Sequence, residues 1–277
     1  MGQETFYGYE RPDGKVGVRN YVLLLPTVVC SAHVTSSIER LVRGTVHIPN
    51  QYGCAQAGED LEITFRTLVG LAKNPNVSSV LVVALGCEGM PYEKVVKEVE
   101  RTGKPVELVV IQEVGGTNKA IELGTSIARK FVEEASRARR REFGVEELVV
   151  GAECGGSDWT SGLFSNPSVG HAMDLLIQHG GRAVFSETTE IIGAEHLLAR
   201  RAINEEVREK LLRIVRRLEE RLIAIGVDIR GTNPTPGNIA GGLTTIEEKS
   251  LGAIHKGGTT PLVGCLLYTS PSPRDRG

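Results

Sequence analysis

Ser79–Leu85 reads SVLVVAL, seven residues without a charge. Valine and leucine in an unbroken run of this length fit a strand buried on both faces, the condition of a parallel sheet. A second such run, Tyr21–Val29 (YVLLLPTVV), lies upstream, and a shorter one, Val106–Ile111, follows. Thr45–Ile48 reads as a short strand. Between these segments the period changes to that of helices, from Ser31 to about Leu41, Glu59 to Ala72 and about Tyr92 to Thr102. A long helix is predicted after Gly115-Gly116, reaching about Arg141 through RARRRE, whose cations suit a helix carboxyl terminus. Downstream, strands at Leu148–Ala152 and Ala183–Phe185 flank a helix at about Val169–His179. Helices at Ala194–Arg201 and Glu205–Ile225 come next. Strands alternating with helices specify an α/β protein of mainly parallel sheets with helices on both faces.

A boundary at Phe143 gives an α/β domain over residues 1–143 and a second domain over residues 144–264. The last stretch, Cys265–Gly277 (CLLYTSPSPRDRG), changes character abruptly. Cys265–Asp275 matches the in-frame translation of a sequencing-library adapter. Residues 265–277 are therefore read as a non-native tail of which few packed contacts are expected.

The 277 residues are long enough for two cores. A net charge of -2 and 5% aromatic residues supply neither a basic surface nor stacking platforms for nucleic acid. No apolar run approaches the roughly 20 residues of a membrane span, and MGQETFYGYERPDGK contains no signal-peptide core. A cytoplasmic protein without nucleic-acid or membrane partners is expected. Five widely spaced cysteines, none in a CxxC, read as reduced thiols.

Ligands of open α/β sheets bind beyond the carboxyl ends of the strands, and unusual polar residues collect there. Cys30 follows the first strand, Gly53-Cys54 follows the second, and Cys87-Glu88 comes soon after SVLVVAL. Glu153-Cys154 follows LVVGA, and Glu187 and Glu190 follow AVFS. Thiolates and carboxylates together can hold iron, manganese or zinc; the competing reading is cysteine as a small buried hydrophobe. The metal reading is preferred for Cys54, Cys87 and Cys154, and Cys30 is left open. Those three sulfurs are expected on one side of the sheet, near enough to share an ion.

Asn233–Gly242 (NPTPGNIAGG) reads as an irregular loop. It leads into a helix capped by Thr244 with Glu247 or by Thr245 with Glu248. Free N–H groups near Gly242 to Thr245 would suit an anion, and the segment is expected to pack against the Cys154–Asp158 loop. Near the start, Arg19 beside Asn20 (RPDGKVGVRN) offers a two-bond clamp for a carboxylate. A turn followed by a surface arginine is the alternative.

Taken together, GYERPDGKVGVRN, QYGC, ALGCE, ECGGSDWTSGLFSNPSVG, FSETTEIIGAEHLLARRA and NPTPGNIAGGLTTIEEKSLGAIHKGGTTP resemble the altronate/galactarate dehydratase family in order and spacing, over Gly8–Gly264. The resemblance implies a hydro-lyase that dehydrates a sugar acid to a 2-keto-3-deoxy acid with a divalent metal, iron (Fe2+) or alternatively manganese (Mn2+). It also implies a Rossmann-like second domain, incomplete here, and a first region that takes part in a homodimer. Only seven residues precede the first motif, so the small β-clip domain of some members is expected as a separate subunit. Dehydration removes a proton from C2 and expels hydroxide from C3. For that chemistry Cys54, Cys87 and Cys154, with Glu88, Glu153 and Glu187, are the candidate metal ligands. Asp158, Glu190, His196 and Lys249 are the candidate proton-transfer groups. Arg19, Asn20, Gly241, Gly242 and Thr244 are the candidate substrate binders. Two alternatives accompany this reading: the large subunit of a sulfolactate sulfo-lyase, in which sulfite leaves, and an inactive binding module.

Overall fold

The computed structural model describes residues 4–265. The expectation about the tail therefore lies outside the described residues except at Cys265, which packs at the margin of an apolar cluster. The chain divides into two compact units, Thr5–Phe143 and, with Glu4, the residues from Gly144 onward.

The first unit is built on β1 (Thr5–Glu10), β2 (Val16–Gly17), β3 (Tyr21–Pro26), α1 (Ala32–Leu41), β4 (Thr45–His47), α2 (Gly58–Lys73) and β5 (Val77–Ala84). It continues with α3 (Tyr92–Glu100), β6 (Val106–Val110), α4 (Thr117–Ser136) and β7 (Arg141–Gly144). Four strands form a parallel sheet in the order β4-β3-β5-β6. Leu23 lies opposite Val80 and Val82 opposite Leu108. Successive side chains point to opposite faces, and both faces are apolar. Val22, Leu24, Leu81 and Val83 meet Val34 and Ile38 of α1 and Ala120, Ala128 and Phe131 of α4. Leu23, Leu25, Val80 and Val82 meet Leu68 and Ala72 of α2 and Val95 and Val99 of α3. The unbroken apolar run thus follows from burial on two sides rather than one.

Two details differ from the sequence reading. The strand beginning at Tyr21 stops at Pro26, and Val29–Ser31 forms a tight 3-10 turn into α1. The long helix ends at Ser136, not near Arg141. Arg141–Gly144 instead pairs as β7 with β1 in a three-stranded sheet, order β2-β1-β7. Phe143 packs near Phe6 with ring centroids 6.3 Å apart, and Arg141 meets Glu10 at 3.1 Å. A tertiary partner overrides the helical propensity of this Arg-rich stretch.

The second unit contains β8 (Val149–Ala152), α5 (Asn166–Gln178), β9 (Arg182–Phe185), α6 (Glu195–Ala199) and α7 (Glu205–Ala224). Short helices α8 (Ile229–Thr232) and α9 (Pro236–Ala240) precede α10 (Ile246–Ile254). Strands β8 and β9 pair in parallel, Val150 opposite Ala183, as a two-stranded sheet. The apolar cluster lies elsewhere, where Ile191, Ile192 and Leu198 pack on Leu211, Val215 and Leu218 of α7 and on Ile246 of α10. The NPTPGN stretch is not wholly irregular: Pro236–Ala240 is a helical turn, with Pro at its start and a capping box between Thr235 and Asn238. Among the described residues no helix is long and apolar enough to cross a membrane.

Candidate functional site

Parallel strands β8 and β9 end side by side at Ala152 and Phe185, and the loops leaving them carry the charged residues. Cys154 stands two residues beyond β8, and Glu187 two residues beyond β9. Glu187 adopts φ 79°, a left-handed conformation uncommon in a non-glycine residue. The next residues, Thr188–Glu190, form a 3-10 turn that brings Glu190 inward. One ligand atom each from Cys154, Glu187 and Glu190 lies within 4.8 Å of the other two; this is the one such group of three or more His, Cys, Asp or Glu among the described residues.

Glu190 is 4% exposed, and so is Lys256, whose Nζ donates to Glu190 Oε2 at 2.5 Å. Lys256 reaches it from the His255–Gly257 turn after α10. Burial alone would push the Glu190 carboxyl upward. Hydrogen bonds from Cys154 and Lys256, with the Lys256 charge, outweigh burial and hold Glu190 below the usual carboxylate range. Glu187 shows the opposite response. Burial, then its hydrogen bond to Glu190 and the adjoining negative charge, pushes it up to about 7. Burial and the hydrogen bond to Glu190 likewise raise the Cys154 thiol, whose sulfur also lies 3.6 Å from Ser157 Oγ. The pattern is two neighbouring carboxyls, one fixed as an anion by a buried lysine and one that exchanges a proton near neutral pH.

One thiol and two carboxyls form a mixed donor set that fits a borderline divalent ion such as Fe2+, Mn2+ or Zn2+. Coordination deprotonates a thiol outright, so the raised Cys154 pKa is compatible with ligation.

The other sequence candidates are distributed differently. Cys54 and Cys87 lie in loops of the first unit, which holds the four-stranded sheet, and Cys154 lies in the loop after β8 of the second, which holds the two-stranded sheet. The picture of three sulfurs lining one sheet is thereby corrected. Alternating β/α periodicity identified strand ends without specifying which strands share a sheet. Cys30, Cys54 and Cys87 are exposed. Glu88 ties the residue after β3 to the loop after β5, accepting from Thr27 Oγ1 at 2.7 Å and from the backbone N–H groups of Leu85 and Gly86. Glu153 is exposed and accepts from the Ser186 hydroxyl.

Asp158 acts as a local cap. Its Oδ1 accepts from the Thr160 and Ser161 N–H groups and both hydroxyls, and the Thr160 hydroxyl leads the bonds that hold the carboxyl below its usual range. A carboxylate so engaged is a poor proton acceptor. His196 is exposed on α6. Lys249 is half-buried and donates to Asn233 Oδ1 at 3.1 Å and Asn238 Oδ1 at 3.2 Å. Arg19 is exposed, whereas Asn20 accepts from buried Arg11 and donates to the Ala135 carbonyl. Asn20 therefore braces the first unit.

The glycine-rich segment does lie against the Cys154–Asp158 loop. Asn238 donates to the Ser157 carbonyl at 2.8 Å, and the Trp159 N–H donates to the Gly241 carbonyl at 3.0 Å. A Cβ on Gly242, at φ +90°, would stand 3.1 Å from the Trp159 ring. Three of the expected anion donors are nevertheless engaged: Gly242 N–H bonds to Ile239, Leu243 N–H to Asn238 and Thr244 N–H to Glu248. Thr244 also donates its hydroxyl to Glu248, while Thr245 caps α10 by accepting from the Glu248 N–H.

Sequence reasoning passed over Lys256. Its signal is a lysine followed by two glycines directly after a capped helix, but only the fold reveals that it is buried against a carboxylate.

These features define an α/β protein with a thiol–carboxyl cluster at the carboxyl ends of parallel strands. The family model described as D-galactarate dehydratase/altronate hydrolase, second domain, matches residues 8–136. That described as D-galactarate/altronate dehydratase, C-terminal, matches residues 145–277. The (2R)-sulfolactate sulfo-lyase subunit beta of Chromohalobacter salexigens is 42% identical over 99% of this chain and 70% of that protein. The altronate dehydratase of Bacillus subtilis is 36% identical over 95% of the chain and 54% of its own length. The galactarate dehydratase (L-threo-forming) of Escherichia coli is 35% identical over 99% and 56%. The chain belongs to the D-galactarate/altronate dehydratase family, and it spans little more than half the length of the two dehydratases.

Proposed function

We propose that this chain is the catalytic part of a metal-dependent lyase that removes the C2 proton of a 2-hydroxy acid and expels a group from C3. The observation that carries this reading is the Cys154–Glu187–Glu190 cluster with its buried Lys256. Cys154 and Glu190 would be the principal ligands of a divalent ion, Fe2+ or Mn2+, with Glu187 within reach of it. When bound, the ion supplies Lewis-acid polarisation of the substrate oxygens. Glu187, pushed up to about 7, is the carboxyl suited to proton exchange at C2 near neutral pH. Lys256 keeps Glu190 ionised while Glu187 gains and loses its proton. Lys249, which donates to Asn238, whose amide in turn donates to the Ser157 carbonyl, would be the cation that receives the substrate carboxylate.

For a sugar acid such as altronate or galactarate, the C2–H and C3–O bonds break, hydroxide leaves with a proton as water, and the enol becomes the 2-keto-3-deoxy acid. A second reading is favoured by the 42% identity to a sulfo-lyase subunit. There the C3–S bond of sulfolactate breaks, sulfite leaves, and the enol becomes pyruvate. That relative is itself a subunit, and we propose a small separate subunit as partner here, with homodimerisation through the first unit and a cytoplasmic location. Anaerobic assays with Fe2+ on altronate, galactarate and sulfolactate, scoring 2-keto acid and sulfite separately, test the proposal. Product from one acid, abolished by Glu187→Gln, is expected. No product from any of the three, together with no binding of Mn2+, would overturn it.

A further inference from the structure

We infer that Asp174 and Arg201 are positioning residues that grip the turn after α10 from two sides and deliver Lys256 to Glu190. The inference rests on the reading of the Cys154–Glu187–Glu190 cluster as the working site. Asp174, on α5, is 8% exposed. Among the described residues no lysine or arginine makes an ion pair with its carboxylate, though the Arg201 charge lies near enough to favour the anion, and its oxygens are filled instead by the turn. The Thr259 N–H reaches Oδ1 at 2.8 Å and Oδ2 at 2.9 Å, the Thr259 hydroxyl reaches Oδ2 at 2.8 Å, and the Thr260 N–H reaches Oδ1 at 3.2 Å.

Arg201, just after α6, supplies the complementary half. Its Nη2 donates to the Gly257 carbonyl at 2.7 Å and to the Thr260 carbonyl at 2.9 Å. One side chain thus takes the turn's donors and the other its acceptors. Backbone bonds extend the grip, since the Leu262 N–H meets the Arg201 carbonyl at 2.8 Å.

The glycines are fitted to this seat. Gly258 lies at φ +61°, and a Cβ there would stand 2.2 Å from Asp174 Oδ1. A Cβ on Gly170 of α5 would stand 2.0 Å from the His255 carbonyl oxygen. The turn is therefore held to α5 at van der Waals range, with Lys256 inside it. A lysine side chain is long and rich in rotamers, and a buried ammonium needs its partner at a fixed point. Immobilising the backbone on both sides of Lys256 lowers that entropic cost and keeps Glu190 an oriented anion. Partners that orient a ligand from outside are commonly worth ten- to a hundredfold in metal affinity.

The test uses the 277-residue chain and Mn2+ as probe, with free Mn2+ read by its EPR signal. Asp174→Asn, which turns an amide N–H2 toward the Thr259 and Thr260 donors, and Lys256→Met are each expected to weaken Mn2+ binding about tenfold. The double variant is expected to be no worse than Lys256→Met. Arg201→Lys, which keeps one cationic donor, should fall between wild type and Asp174→Asn, and it remains informative if the asparagine variant fails to fold. Additive losses of affinity would overturn the inference. Urea unfolding of the same variants separates it from the functional reading. If wild type does not bind Mn2+, the metal proposal fails, whereas coinciding midpoints for the Lys256→Met and double variants would still support the grip. Midpoint shifts that add would reject it.

Discussion

The two units solve opposite problems. The first buries four strands between two layers of helix, and its centre is aliphatic: Leu23, Leu24, Leu81 and Val82 are wholly inaccessible. The second has a two-stranded sheet whose Val149, Val150 and Val184 remain exposed, and its most buried ionisable residues are charged partners, Glu190 and Lys256. Stability in the first comes from non-directional burial, about 1.5–3 kcal/mol per enclosed aliphatic side chain. In the second, order around the cluster depends on directional bonds that must all be made, because one unpartnered charge is costly. The chemistry proposed above falls in the unit whose buried carboxyls are held by directional bonds.

The largest effect should come from breaking that charge pair. Lys256→Met is expected to cost about 4 kcal/mol, leaving Glu190 buried without its cation, as read from urea unfolding. Pairing it with Glu190→Leu should recover much of the loss, and a double variant as unstable as the sum would show that the pair is not the issue. Leu81→Ala, in the apolar first unit, should cost about 3 kcal/mol through lost burial and the cavity left behind. Equal losses at Leu81 and Lys256, with no recovery from Glu190→Leu, would erase the contrast between the units.

A third expectation concerns pH. Lys104 is buried in the first unit, its Nζ donating to the Ala72 and Asn74 carbonyls, and burial lowers its pKa from 10.5 to about 8. Below about pH 8 both folded and unfolded chains hold the proton, and the buried charge is a constant burden. Between about 8 and 10.5 only the unfolded chain holds it, so stability from this group rises with pH. Across that window the melting temperature of wild type should rise relative to that of Lys104→Met, which lacks the titrating group; a parallel course in both would assign the rise elsewhere. Smaller still, Thr245→Ala should cost about 1 kcal/mol by uncapping α10. Cys87→Ser, at an exposed loop position, should change unfolding by less than about 0.5 kcal/mol.

Much of the first unit was legible because burial on two faces writes itself as continuous apolar runs. SVLVVAL became β5, and the helices over residues 32–41, 58–73 and 92–100 lie close to where periodicity put them. Arg141–Gly144 escaped because its partner, β1, stands far away in sequence. Site residues were harder. Cys154, Glu187 and Glu190 were visible as polar residues after apolar runs, yet so were Cys54, Cys87 and Glu88, which occur in the same pattern. Nothing in local sequence separates a carboxylate engaged by Thr27 and two backbone N–H groups from one left to share a proton.

The sequence by itself determined the alternation of strands and helices, the placement of thiols and carboxyls at strand ends, and the family, because these depend on near neighbours and on motif order. Tertiary structure alone decided that Lys256 meets Glu190, that Asp158 and Asn20 brace the backbone, and that Asp174 and Arg201 hold one turn. Those outcomes depend on which groups lose water together. The pairs involved stand 66 residues apart for Glu190 and Lys256 and 85 for Asp174 and Thr259. Desolvation and pairing at that range act only once the chain has closed.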